Sequence, residues 1–293
     1  MKRFWGILLT LTLVSFPTWS QKSVLKMTVL STGSAYPIEG STIQGGSWFK
    51  KFKMTHPAFL FQHPKGTVLF DTGLGRTAEK QTQDVVWWAR IATEFSQDEA
   101  TNGPVADQLK KMNIKLDKII VSHVHFDHVS GLADLPDVPV EIQPQELAFT
   151  KTKDASPAVF PSLFSEKTLW KTYELENKEY EGYPKSRDVF ADGSLVLVGL
   201  PGHTPGSVGL FVNISATQRA FLVGDTVWNS EAIEKGVPKF WLARMFADNK
   251  PDEVLKRIEE LQALHKRKPE ILIVPSHDAA SVDALKKMIG QDL

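Results

Sequence analysis

Three imidazoles and a carboxylate fall within six consecutive residues, His123-Val124-His125-Phe126-Asp127-His128, one residue (Ser122) after the apolar run Ile119-Ile120-Val121. Few arrangements constrain a chain more, because this is a dense set of groups that can donate lone pairs to a cation. Residues two apart in an extended segment point the same way, so His123 and His125 can grip one ion. Asp127 and His128 follow as the chain turns and can face a second. Imidazole nitrogen and carboxylate oxygen suit zinc and its neighbours among the divalent ions. The chain of 293 residues has no cysteine, which removes thiolate from the available ligands and nucleophiles.

Other candidates share the same placement at the end of an apolar run. His203 follows residues 195–200 through Pro201-Gly202, Asp225 follows Phe221-Leu222-Val223 through Gly224, and His277 follows residues 271–274 through Pro275-Ser276. Taken alone, each histidine would pass for a loop residue and Asp225 for a turn aspartate. Together they suggest strand ends forming one rim, where loops on a rigid scaffold carry functional groups. Asp71, after Val68-Leu69-Phe70, is expected to orient a ligand histidine from behind by hydrogen bond, with a turn aspartate as the alternative. His56, His63 and His265 lack such a context and read as spectators.

Apolar runs at 24–30, 58–61, 68–70, 119–121, 195–200, 208–212, 221–223 and 271–274 are short enough for strands. Helical patterns occupy 83–95, 105–112 and 251–264, the last opening on Pro251. Strands in groups with helices between and after them indicate a mixed, layered α/β domain. Residues 156–187, rich in proline and aromatics, break the periodicity. They read either as an insertion bordering a pocket or as a loop packed on the core.

Residues 1–20 differ in kind. Lys2 and Arg3 precede an uncharged apolar stretch from Trp5 to Phe16, with Thr18 and Ser20 just before Gln21. This is the pattern of a cleaved secretory signal peptide, and the stretch is too short to span a bilayer stably. The expected products are an exported protein, periplasmic or secreted, and a single mature domain over 21–293. An uncleaved anchor is the competing reading. Basic and acidic residues balance at 34 each, which argues against a nucleic-acid partner. Lys50, Lys51 and Lys53 still make a local basic cluster, by default a solvated surface.

The motifs His123-Val-His125-Phe-Asp127-His128, Pro201-Gly-His203-Thr-Pro-Gly206, Gly224-Asp225-Thr226 and Ser276-His277-Asp278, with Phe70-Asp71-Thr72-Gly73 before them, resemble those of the metallo-β-lactamase-fold hydrolases. The resemblance implies an αβ/βα sandwich of two facing sheets flanked by helices, with the metals at one edge. It implies His123, His125 and His203 on one ion, Asp127, His128 and His277 on the other, and Asp225 bridging them. Zinc is the default, with manganese, iron or cobalt as alternatives.

Two adjacent ions would present a water-derived nucleophile and polarise an ester-like bond, with Asp127 moving the proton. Motif spacing is similar to the lactonase and organophosphate-hydrolase branch, so a lactone or related ester with an apolar part is the expected substrate. Where many such lactonases carry a substrate-contacting tyrosine, three residues past the bridging aspartate, this chain has Trp228. Its indole can pack on substrate and donate one hydrogen bond. Trp241 and the 156–187 aromatics are expected to border the same pocket. Phosphotriester or β-lactam hydrolysis are the alternatives within the family. Outside it stand a di-iron redox protein, which would want glutamate in place of His125, and a silent metal-binding protein.

Overall fold

The structure is a computed structural model that describes residues 25–81, 95–96, 103–155, 157–159 and 161–292. The expected signal segment lies outside these residues. So does the expected helix at 83–95, except for Phe95, which instead pairs as a strand with Ala35.

In chain order the first half runs β1 (Lys26–Ala35), α1 (Glu39–Thr42), β2 (Met54–His63), β3 (Gly66–Phe70), α2 (Ala78–Gln81), β4 (Phe95–Ser96), α3 (Val105–Lys111), β5 (Lys118–Ile120), α4 (Phe126–Val129), β6 (Val140–Ile142), α5 (Pro144–Phe149) and β7 (Trp170–Thr172). The second half runs β8 (Ser186–Asp188), β9 (Leu195–Gly199), β10 (Val208–Asn213), β11 (Arg219–Leu222), α6 (Glu231–Lys235), α7 (Trp241–Ala247), α8 (Pro251–Arg267), β12 (Ile271–Val274) and α9 (Ala279–Met288). Among the described residues the strands form a seven-stranded sheet in the order β4-β1-β2-β3-β5-β6-β7 and a five-stranded sheet in the order β12-β11-β10-β9-β8.

The apolar runs are continuous because both faces of each sheet are covered. Along β2, Phe59 and Phe61 point into the core between the sheets, while Leu60 and Ala58 point to the helix side. On β9, Leu195 and Leu197 enter the shared core, and Val196 and Val198 face the layer that includes Val254, Ile258 and Leu261 of α8. The result is the helix–sheet–sheet–helix sandwich.

Of the expected pocket border at 156–187, Pro157 and Ala158 line a cavity, while the later described residues serve elsewhere. They carry β7 at one sheet's edge and lead into β8 at the other's, so the segment is the crossover between the sheets. Tyr173 is buried in the shared core, Trp170 packs with Phe164, and Tyr180 and Tyr183 pack on Phe211.

Strand direction fixes where the functional loops emerge. β3 and β5 are parallel, so Asp71 and His123 leave the same edge of the first sheet. In the second sheet β9 and β11 each run antiparallel to β10, and β11 runs parallel to β12. The C-terminal ends of β9, β11 and β12 therefore share one edge, from which His203, Asp225 and His277 emerge.

Candidate metal centre

At that edge the sequence-predicted residues converge in two groups. His123, His125 and His203 form one, and Asp127, His128, Asp225 and His277 the other; within each, one potential ligand atom per residue lies within 4.8 Å of all the rest. His203 Nε2 sits 3.2 Å from His123 Nε2, and the His123 and His125 rings are 4.8 Å apart. Asp225 stands between the groups. Its Oδ1 is 3.0 Å from His128 Nε2, and its Oδ2 is 2.9 Å from His277 Nε2 and 3.6 Å from His203 Nε2. Asp127 Oδ2 lies 3.1 Å from His277 Nε2.

Electrostatics separate the two groups. Burial, then the charge on neighbouring histidines, holds His123 and His125 well below the usual imidazole range. Burial and then Lys239 likewise lower His203. This trio is therefore neutral, the form in which imidazole binds metal. In the second group burial also opposes protonation of His277, but the charge of Asp225, with hydrogen bonds to Asp127 and Asp225, outweighs it and pushes the pKa up to about 10. Burial would raise Asp127, yet charge on His128 and a hydrogen bond from His277 hold it below the ordinary carboxylate range.

The residues fit a pair of cations. Three neutral imidazoles come together at one point, and the buried carboxylate of Asp225 with the part-buried one of Asp127 demand positive charge beside it. His128 Nε2 and Asp225 Oδ1 are both buried without a well-formed hydrogen bond although 3.0 Å apart. Buried polar atoms are rarely left so, and an ion between them would satisfy both.

Behind the ring of ligand candidates, further groups fix imidazole orientation. Asp71 Oδ2 sits 2.8 Å from His128 Nδ1, while its carboxylate also accepts from the Ser122 backbone N–H and hydroxyl. Asp71 is fully buried with φ of 59°, a left-handed conformation costing about 1–3 kcal/mol that its contacts must over-determine. His277 Nδ1 lies 2.8 Å from the Thr55 carbonyl. Two groups that the sequence did not reveal act similarly. Asp248 Oδ1 is 2.8 Å from His203 Nδ1 and accepts from buried Lys239 Nζ at 2.8 Å. In sequence Asp248 looks like a turn residue before a proline-led helix. Glu146 accepts from the Val124 N–H on Oε1 and the Gly206 N–H on Oε2, tying the first motif to the loop of His203. Gly206 has to be glycine here, since a Cβ would lie 2.6 Å from the Glu146 backbone nitrogen. In sequence Glu146 passes for a first-turn helix carboxylate, so no pattern marked it.

A cavity of about 370 Å³ reaches the site past His125, Asp127, Asp225 and His277. Its far walls are apolar: Trp48, Met54, Phe126, Phe240, Leu242 and Phe246. Trp228 lines it too, but its indole N–H donates to Asp225 Oδ2 at 2.9 Å. The donor expected to meet substrate is thus engaged with the carboxylate, leaving the ring face. Trp241 is not in the wall; it points to solvent with 63% of its surface exposed. The aromatics of 164–183 are likewise elsewhere, in the core. His56, read as a spectator, lines the cavity with its ring 5.1 Å from that of His277, and burial pushes its pKa down to about 3. His63 stacks on Phe190 and pairs with Asp192, away from the site.

Residues 54–277 match the profile of the metallo-beta-lactamase superfamily. The chain is similar to the N-acyl homoserine lactonase AttM of Azorhizobium caulinodans, with 23% identity over 249 residues covering 82% of this chain and 88% of that protein. Among solved structures it resembles an N-acyl homoserine lactone hydrolase with its product, N-hexanoyl-L-homoserine, bound at the catalytic metal centre. That match has a TM-score of 0.70 and 21% identity, covering 88% of this chain and 95% of the other. The dizinc quorum-quenching lactonase AidC matches with a TM-score of 0.57 and 17% identity, covering 88% and 89%. At these identities the structural likeness concerns the fold.

Proposed function

This chain belongs to the metallo-beta-lactamase superfamily and is a metal-dependent hydrolase, and on that premise we propose that it opens a lactone bearing an apolar chain, at two zinc ions in an exported protein. The observation that carries the reading is the cavity, which joins a polar, ligand-rich floor to walls of Trp48, Phe240, Leu242 and Phe246. An ester head and an apolar tail would each find their own environment there. The lactone substrates of the similar proteins support the choice of ester.

His123, His125 and His203 would hold one ion, Asp127, His128 and His277 the other, with Asp225 between them. When bound, such ions supply Lewis acidity toward the ester carbonyl and acidify the attacking water. The remaining work falls to side chains. Asp127, ionised at neutral pH, is placed at the cavity floor to accept a proton and return it to the leaving alkoxide. Asp225 is restrained by the Trp228 indole, and the tryptophan ring face with Phe126 would pack against the substrate and keep bulk water from it.

The test is to purify the mature chain, count metal per protein, and assay lactones of graded chain length beside phosphotriesters and β-lactams. Turnover of lactones that improves with chain length supports the reading. Intact lactones beside hydrolysed members of another class would move the chain to that branch.

A further inference from the structure

Of the ten large apolar side chains exposed among the described residues, eight lie in two short segments, 36–49 and 241–246. Phe49 is fully exposed, Trp241 63% and Met245 60%. The segments adjoin, because Trp48 meets Phe240 edge-on at 5.0 Å and Phe240 meets Trp241 at 5.5 Å. Both also frame the cavity, through Trp48 on one side and Leu242 and Phe246 on the other. A concentration of this kind on a soluble surface marks a contact site.

The surrounding charge identifies the partner. Lys50, Lys51 and Lys53 directly follow Phe49 and are exposed, and Arg244 lies on α7 between the exposed apolar residues. Among the described residues of this area, three carboxylates, Glu39 bonded to Lys50 at 2.6 Å, Glu231 bonded to Lys235 at 2.5 Å and Glu234 near Lys235, stand against five cations, Lys50, Lys51, Lys53, Lys235 and Arg244. A positive excess remains. A second copy of the chain would bring the same excess against itself, so self-association is opposed.

We propose that this face docks on an anionic lipid surface, with Phe49, Trp241 and Met245 entering the headgroup region and the lysines meeting lipid phosphates. Exposed aromatics within a basic rim are suited to such interfaces. The mouth of the cavity would then open onto the membrane, and, if the proposed substrate class is right, apolar-tailed esters would enter from the lipid phase.

The experiment uses the metal-loaded mature protein in co-flotation with vesicles of phosphatidylcholine alone and of phosphatidylcholine mixed with phosphatidylglycerol. Binding is expected for the mixed vesicles and to fall at high salt. Phe49→Ser with Trp241→Ser should abolish it, and Lys51→Glu or Lys53→Glu should each weaken it about fivefold or more, by loss of a favourable charge. All should retain wild-type hydrolysis of a small soluble ester, since none lines the site. Absence of binding to mixed vesicles, or binding indifferent to these substitutions, overturns the proposal. So does a dimer seen by light scattering that Phe49→Ser with Trp241→Ser dissolves. Vesicle binding is read without turnover, so it stands or falls separately from the choice of substrate.

Discussion

One carboxylate, that of Asp225, approaches His128, His203 and His277 at once, so the site depends on it more than on any single imidazole. Asp225→Ala should lower metal per chain, measured by atomic emission, and reduce turnover by more than the roughly 10–100-fold that removal of a merely supporting group costs. Two tightly held ions and normal rates in that variant would refute the bridging role. Glu146 makes a different prediction. Burial lifts its pKa from 4.5 to about 7, against the opposing hydrogen bonds from Thr204, Val124 and Gly206. A raised pKa means that the fold prefers the protonated form. Its contribution to stability is thus complete below pH 4.5 and is lost as pH rises through 7, about 3 kcal/mol across that window. Glu146→Gln cannot titrate, although its amide leaves one backbone N–H poorly matched. Urea unfolding with metal in excess should show the wild type losing its advantage over the variant between pH 4.5 and 7. Parallel curves for the two proteins would sink the assignment.

Among the elements, α7 has a double duty. Its residues Leu242 and Phe246 line the cavity, and the residue that ends it, Asp248, holds His203. Leu242→Trp should fill part of the cavity and shift preference toward shorter chains, seen as a rise in KM confined to long-chain substrates. Metal content should not change. Asp248→Asn should do the reverse, weakening metal affinity about 10–100-fold in chelator competition while leaving chain-length preference intact. The strands that deliver the candidate ligands were legible because β3, β5, β9, β11 and β12 are buried on both faces, which writes an unbroken apolar run ahead of each functional residue. β6, β7 and β8 were missed. Each is three residues long, and pairing with a neighbour rather than pattern makes it a strand. The site divides similarly: the metal-directed residues follow strand ends, whereas Glu146 and Asp248 take their roles from partners 60 and 45 positions away. The cavity wall was hidden for the same reason, since Trp48 and Phe240 meet only in three dimensions. The aromatics of 164–183 misled because side chains that anchor an otherwise exposed crossover onto the core have the composition of a pocket border.

At the scale of the whole molecule, the two sheets divide the seven residues of the candidate centre four to three. His123, His125, Asp127 and His128 come from the first sheet's edge, and His203, Asp225 and His277 from the second's. With no cysteine to staple them, ions held there would serve as cross-links between the layers. Chelation should lower the melting temperature, since a ligand at about a hundred times its Kd stabilises the native state by roughly 2.7 kcal/mol. Calorimetry with and without chelator, followed by metal restoration, checks this; an unchanged transition would show that the layers hold without such help. The division also bears on synthesis. A ribosome delivers the first motif long before His277 exists, so an incomplete chain offers only an open-sided grip at the second position. The second position is completed only when the last strand docks, which makes the full pair a proof of completed assembly and spares the cell a half-built hydrolase.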